Sequence, residues 1–410
     1  MKILIINSSD IRGGAARAAL RLHNSLLDES VDSHYIVQSK ISTEHTVIGP
    51  KTKLGKAMGF VRPELDLLPG KIFNKPSKTY FSSNWIPFSG IIKIINDLNP
   101  DIVHIHWING GMFRIEELKK IKSPIVWSLH DMWPFRGGYH YLNNLEFNSK
   151  KQFYPISDEG FLSNRIWKRK SKTYKKINSI TVVGLSKWLM NESKNSLLFN
   201  NRNHINLPNP INTNIFKSID KNICRKLWNL PTDKKLILFG AVGAISDPRK
   251  GFNELSKALS FLKRRKDLEL VVFGASKPSK PDKFEFNTHY VGSLKDDLSL
   301  ITLYNAVDTV IVPSLQENLS NVIMESISCG TPVVSFDIGG NPDLIDHKLN
   351  GYLAKPYDPE DLARGIEWVL NHPNPEELSK NAREKVLREF DSKVVAKKYI
   401  ELYKSILAKN

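Results

Sequence analysis

The chain has 410 residues, and its 59 Lys and Arg against 42 Asp and Glu give a formal net charge of +17. With 41% hydrophobic and 10% aromatic residues it can fill large cores, which excludes wholesale disorder. Its two cysteines, Cys224 and Cys329, exclude a disulfide scaffold or a cysteine-based zinc site. Length suggests two or three domains. No apolar run approaches the roughly 18 residues of a membrane span, and the run opening MKILIINSSD is too short for a secretory signal. The expectation is a cytoplasmic chain. Its charge is unevenly spread. Residues 1–210 hold 30 Lys and Arg against 16 Asp and Glu, a net of +14, whereas residues 211–410 hold 29 against 26, a net of +3. Such a split predicts two domains with different partners.

In chain order, Lys2–Asn7 (KILIIN) reads as a strand, followed by a polar turn with Gly13-Gly14. Ala15–Leu27 then has helical spacing. Ile91–Leu98 reads as a helix, and Asp101–Trp107, Pro124–Leu129 and Ser179–Val183 as strands. The second half repeats the alternation. Strands are predicted at Lys235–Phe239, Leu268–Phe273, Thr288–Val291, Thr309–Val312 and Pro332–Phe336. Helices are predicted at about Phe252–Lys263, Asp296–Tyr304, Ser320–Ser328 and Pro359–Leu370. Apolar strands alternating with helices predict parallel, doubly wound α/β sheets. The expected divisions are a domain over 1–210, a second over 211–390 and a helix over 391–410. The linker falls in Leu207–Asn214, which carries two prolines and three asparagines. Two basic stretches stand out in the first domain. Lys51–Lys78 mixes seven Lys and Arg with Leu, Phe and Met, and Arg165–Lys176 (RIWKRKSKTYKK) carries another seven. Either could dock on anionic lipid, or form a solvated helix face or loop.

Chemistry concentrates in Val312–Gly340. Glu317 lies in the turn after a strand and Glu325 on the next helix, eight positions on. A helix starting near Leu319–Ser320 would direct backbone N–H groups and a partial positive charge at a diphosphate. Glu325 could accept hydrogen bonds from both ribose hydroxyls, which leaves Glu317, with Asn318 beside it, for a sugar. Alternatively Glu325 is an exposed helix residue and Glu317 an acid favoured by the dipole. Arg249 and Lys250, in SDPRKGF, could reach the same diphosphate, and Gly339-Gly340 follows another strand end. His130 and Asp131 end the PIVWSL strand. His104 and His106, two apart on one strand, share a face and lack a convincing third metal ligand.

The order RKGF, ENLSNVIMESISCGTPVVSFDIGG, GYLAKPYDPEDLA resembles the retaining glycosyltransferases of family four. In the first half, GGAARAALRLHNSL, FSSNW and WSLHDMWPFRGGYHY resemble a branch acting in capsule, exopolysaccharide or O-antigen assembly. The resemblance implies the GT-B fold, two Rossmann-like doubly wound domains facing across a cleft. It implies a nucleotide-sugar donor bound in the second domain by Arg249, Lys250, Glu317, Asn318, Leu319, Ser320 and Glu325. A saccharide acceptor, which could be polyprenyl-pyrophosphate-linked, would meet Gly13, Gly14, His130 and Asp131 in the first. Lys250, Glu317 and His130 would carry catalysis, with no metal or other cofactor and no nucleic-acid partner. The basic excess then reads as attraction to an anionic membrane, on the inner face of which the protein would be peripheral. Two features depart from the pattern. Gly243-Ala244 stands where many members have Gly-Arg, and the stretch after HDMWPF lacks a frequent cysteine cluster. The competing readings are a nucleotide-sugar epimerase or a phosphorylase of similar architecture. A non-catalytic lipid- or nucleic-acid-binding protein is a third, though no ribonucleoprotein-like motif accompanies the charge.

Overall fold

Short runs rich in Ile, Val and Leu, apolar on both faces, suit burial inside parallel sheets covered by helices. In the computed structural model, which describes residues 1–73, 80–87, 90–142, 160–240, 247–274, 286–294 and 296–409, they are buried that way twice. The chain divides into two compact units. The first comprises Met1–Pro210 with Val395–Asn410, and the second Ile211–Val394.

The first unit holds β1 (Lys2–Ser9), β2 (Asp32–Ser39), β3 (Val47–Ile48), β4 (Ile102–Ile105), β5 (Ile125–Leu129), β6 (Ile180–Gly184) and β7 (Asn203–Asn206). They form one parallel sheet ordered β3-β2-β1-β4-β5-β6-β7, with Ile5 opposite both Tyr35 and His104. The second unit holds β8 (Lys235–Gly240), β9 (Leu268–Phe273), β10 (Thr288–Gly292), β11 (Thr309–Val312), β12 (Val333–Phe336) and β13 (Gly351–Ala354), ordered β10-β9-β8-β11-β12-β13. Strand order reverses at β1/β4 and at β8/β11. In doubly wound sheets ligands bind at such switch points, outside the strands' carboxyl ends. These are two Rossmann-like doubly wound domains, as the resemblance implies.

The helix Ser392–Leu407 brings the end of the chain back to the first unit. Val395, Tyr399, Leu402, Tyr403 and Ile406 line its inward stripe and are buried with Ile3, Ile5, Leu22 and Val126 of that unit's core. The Tyr403 hydroxyl bonds Nδ1 of His104 at 2.7 Å.

Some elements escape sequence reading. The edge strand β7 is the polar run NHIN, and β3 has two residues. The helix Lys53–Phe73 contains Pro63 and Pro69 and buries Arg62 and Asp66, so its apolar spacing does not point inward. The basic stretch Arg165–Lys176 falls largely on the helix Phe161–Tyr174, and it is not uniformly solvated. Lys170 is fully buried. Its ammonium donates to the carbonyls of Trp133, Arg136 and Gly137 and lies 3.4 Å from the Trp133 ring centroid. Arg169 forks onto Glu116 at 2.7 and 2.8 Å and holds its carboxyl down at about 2 despite partial burial. The other five cations of that stretch are exposed.

Candidate active site

The site in the second unit forms where the loops after β8, β11 and β12 meet. Asp247 caps the short turn Pro248–Lys250 by accepting from the Arg249 amide at 3.0 Å. Gly251 follows in the left-handed region at φ +72°, and a Cβ there would stand 1.7 Å from the Pro313 carbonyl oxygen. Glycine thus lets the β8 loop press against the β11 loop. The Leu315 amide locks the contact by donating to the Arg249 carbonyl at 2.8 Å. On the other side, a Cβ at Gly339 (φ +54°) would fall 2.0 Å from the Glu317 carbonyl oxygen, and the Gly340 amide donates to that oxygen at 3.2 Å.

Between these clamps, the Lys250 ammonium donates to Glu317 Oε2 at 2.9 Å and the Ser314 hydroxyl approaches the same oxygen at 3.3 Å. Both members of the ion pair are partly exposed. Ser320 caps the helix Asn321–Ser328, its hydroxyl accepting from the Ile323 amide at 3.4 Å. Lys250, Glu317 and Ser320 line one depression with Phe239, Gly240 and Ser314. Sequence reasoning overlooked Ser314, although it stands three residues before Glu317. A larger depression lies at the opposite end of the sheet, where Lys221 pairs with Asp308 at 2.9 Å, a carboxylate that Arg225 shares at 2.8 Å.

Two donor-side residues differ from expectation. Arg249 turns its guanidinium onto Asp247 at 2.6 and 3.1 Å, so a carboxylate already answers its charge. Glu325 is only 3% exposed, and its Oε2 accepts from the Tyr304 hydroxyl at 3.0 Å. Gly243-Ala244 and residues 143–155 of the HDMWPF stretch lie outside the described residues.

In the first unit, His130 follows β5 and is partly exposed. Its Nε2 lies 2.8 Å from Nδ1 of the buried His106, on the neighbouring strand's end. His104 and His106 share a face, their ring centroids 4.5 Å apart. His104 is held at both nitrogens, by Tyr403 and by Ser128 at 2.8 Å. Burial pulls His130 down to about 4 and His104 to about 3, and drives His106 well below the ordinary imidazole range. All three are therefore neutral near pH 7. His106 Nε2 is buried without a hydrogen-bond partner. An orphaned N–H is rarer than an orphaned acceptor, so the His106 proton belongs on Nδ1, donated to His130 Nε2. That leaves His130 protonated at Nδ1.

Asp131 departs from the acceptor-facing expectation. It is buried, and its oxygens accept from the Trp107 indole (2.9 Å), His140 Nδ1 (2.6 Å) and the Trp133 amide (2.9 Å). Those donors hold its pKa down against burial. It braces the loop after β5; His140, nine residues on, gave no signal in the sequence. Gly13, at φ +91°, and Gly14 open the helix Gly14–Asp28 beside the β1/β4 switch point, with open space where a Gly13 Cβ would be. Among the described residues, no three His, Cys, Asp or Glu group to hold a metal ion, and no helix is long and apolar enough to cross a membrane.

Comparison with known proteins separates the units as the contacts do. Residues 12–213 match the family described as Glycosyltransferase Family 4, and residues 220–385 match Glycosyl transferases group 1. One curated relative is the N,N'-diacetylbacillosaminyl-diphospho-undecaprenol alpha-1,3-N-acetylgalactosaminyltransferase of Campylobacter jejuni. It is 27% identical over 183 residues, 44% of this chain and 47% of that protein. The chain thus spans under half the length of that relative. Among solved structures, sucrose-phosphate synthase from Thermosynechococcus elongatus superposes with a TM-score of 0.68 at 16% identity, covering 100% of both chains. Anabaena HepE in complex with UDP-glucose superposes with a TM-score of 0.65 at 17% identity, covering 99% of this chain and 100% of that one. The chain carries a glycosyltransferase family 4 domain followed by a glycosyl transferases group 1 domain, in the GT-B fold.

Proposed function

We propose that the protein is a retaining glycosyltransferase. It moves a sugar from a nucleoside-diphosphate donor, held by the second unit, to a saccharide acceptor bound by the first. The observation that carries this reading is the convergence of Lys250, Glu317 and the Ser320-capped helix start at the β8/β11 switch point. The donor's diphosphate lies over the Leu319–Asn321 amides with Lys250 against it, and Glu317, with Asn318 beside it, faces the sugar. As the anomeric bond breaks, charge grows on the β-phosphate oxygen, where preorganised donors stabilise it most. Lys250 and the helix amides meet that charge in place of a metal ion. The acceptor hydroxyl approaches the face the diphosphate leaves, and the leaving phosphate takes its proton. His130, neutral, positions sugar or acceptor, and Asp131 acts by holding its loop.

The named activities of the relatives support the same class. One uses a diphospho-undecaprenol acceptor, and one solved neighbour was captured with UDP-glucose. A lipid-linked acceptor at an anionic membrane fits the +14 charge of residues 1–210, and cell-surface polysaccharide assembly is the corresponding role. The test is nuclear magnetic resonance of the product formed from a nucleotide sugar and a saccharide acceptor. The expected result is a new glycosidic bond with the donor's anomeric configuration and one nucleoside diphosphate released per bond. An inverted linkage, or an isomerised donor with acceptor untouched, overturns the reading.

A further inference from the structure

The helix Lys53–Phe73 has its polarity reversed. Its inward side carries Gly59, Arg62 and Asp66. A Cβ at Gly59 would stand 2.9 Å from the Gln38 carbonyl oxygen, so the backbones there nearly touch. The Arg62 guanidinium donates to the carbonyls of Gly111 (2.7 Å), Ile86 (3.1 Å) and Pro87 (3.2 Å), which satisfies its buried donors. Its outward side carries Leu54, Phe60, Val61, Leu68 and Ile72, all exposed, with Leu54 at 74% and Ile72 at 69%. Leu54, Val61, Leu68 and Ile72 are spaced seven, seven and four residues apart, which sets them on one stripe. Water gains nothing from such a face, and apolar patches of this kind mark surfaces with a partner.

Charge identifies the partner. Lys51, Lys53, Lys56 and Lys71 are exposed on or beside the helix. The one exposed carboxylate within it, Glu64, lies 3.6 Å from Lys71. Trp85, half exposed, donates its indole N–H to the Leu65 carbonyl at 3.1 Å and so stands against the same helix. Outward aliphatics flanked by lysines and a tethered tryptophan fit a headgroup boundary, where aromatic rings sit and cations meet anionic lipid. A second copy would bring the same lysines face to face.

We propose that Lys53–Phe73 is an interfacial helix that seats the first unit on an anionic lipid surface, with Leu54, Val61, Leu68 and Ile72 entering the headgroup layer. The proposal rests on the membrane-side acceptor of the proposed function and names the surface that reaches it. The test is flotation of the full chain with vesicles of phosphatidylcholine, with and without phosphatidylglycerol. It requires no donor, acceptor or turnover, so a failed transfer assay leaves its result standing. The wild type is expected to float with the anionic vesicles at low salt and to dissociate as salt rises. Leu68→Ser/Ile72→Ser and Lys53→Glu/Lys56→Glu should each weaken partitioning about tenfold or more. Both should keep the wild-type melting temperature, because the side chains are exposed. Absence of wild-type binding, wild-type binding by both variants, or equal binding to the neutral vesicles overturns the proposal. So does a lipid-free dimer that Leu68→Ser/Ile72→Ser abolishes, which would assign the face to a second copy.

Discussion

Lys250→Ala is expected to lower turnover on the order of 10²-fold or more, the scale seen when one preorganised donor is removed from a developing anion. The geometry adds a second cost. Lys250 is the ammonium that holds Glu317 at 2.9 Å, and without it a donor's diphosphate would approach an unanswered carboxylate. The loss should fall on turnover as well as on donor affinity, since the charge at stake is largest in the transition state. The fold should tolerate the change, because both partners are partly exposed and such pairs contribute little to stability. Lys250→Arg should recover part of the rate by keeping the charge. Steady-state kinetics with a matched melting curve checks this, and wild-type turnover by Lys250→Ala contradicts the assigned role.

The first unit is expected to lose stability steeply as pH falls below about 6.5. His23 and His130 are each pulled to about 4, His104 to about 3, and His106 well below the ordinary value, chiefly by burial. Unfolded histidines take up protons near 6.5, whereas these stay neutral while folded. Between 6.5 and the folded values the unfolded chain therefore binds more protons, and acid favours it. Asp66 acts in the opposite sense. Burial raises it to about 6, so the folded state keeps a proton that the unfolded state releases above 3.8. Burial also lowers His204 and raises Glu192, in opposing senses, and the four deeply shifted histidines against Asp66 leave a net loss of about 3 kcal/mol between pH 6.5 and 5.5. That corresponds to roughly 10 °C in a domain of this size. Calorimetry across that interval should show a falling transition, which His104→Phe should flatten in part by removing one titrating group. A melting temperature that does not change from pH 7 to 5.5 contradicts this charge assignment.

What the sequence discloses and what it hides follow from distance along the chain. The Ile- and Val-rich runs announce strands because their chemistry is local. The donor-side constellation is legible because Glu317, Ser320 and Glu325 lie within nine residues and RKGF is one turn. Local pattern says nothing of who answers a charge. Arg249 reads as a phosphate ligand until Asp247, two residues away, takes its guanidinium. His106 reads as a core histidine until β4 and β5 pair and bring His130, 24 residues on, to 2.8 Å. Lys170 looks like one more surface cation, yet three carbonyls from 133–137 bury it. Arg62 can face inward only because the 86–87 and 111 carbonyls are there to receive it. That remote satisfaction turns its helix inside out.

The central claim is that the second unit holds a nucleoside diphosphate at Lys250 and the helix start at Ser320. Its most direct test is a thermal-shift panel of UDP, GDP, ADP and dTDP with their sugars, on the wild type and Lys250→Ala. At about 100-fold over its dissociation constant a bound ligand adds about 2.7 kcal/mol, or roughly 5–10 °C. The expected result is a shift of that size for one nucleotide series, strongly reduced in Lys250→Ala. No shift with any donor, or equal shifts in both proteins, contradicts the claim.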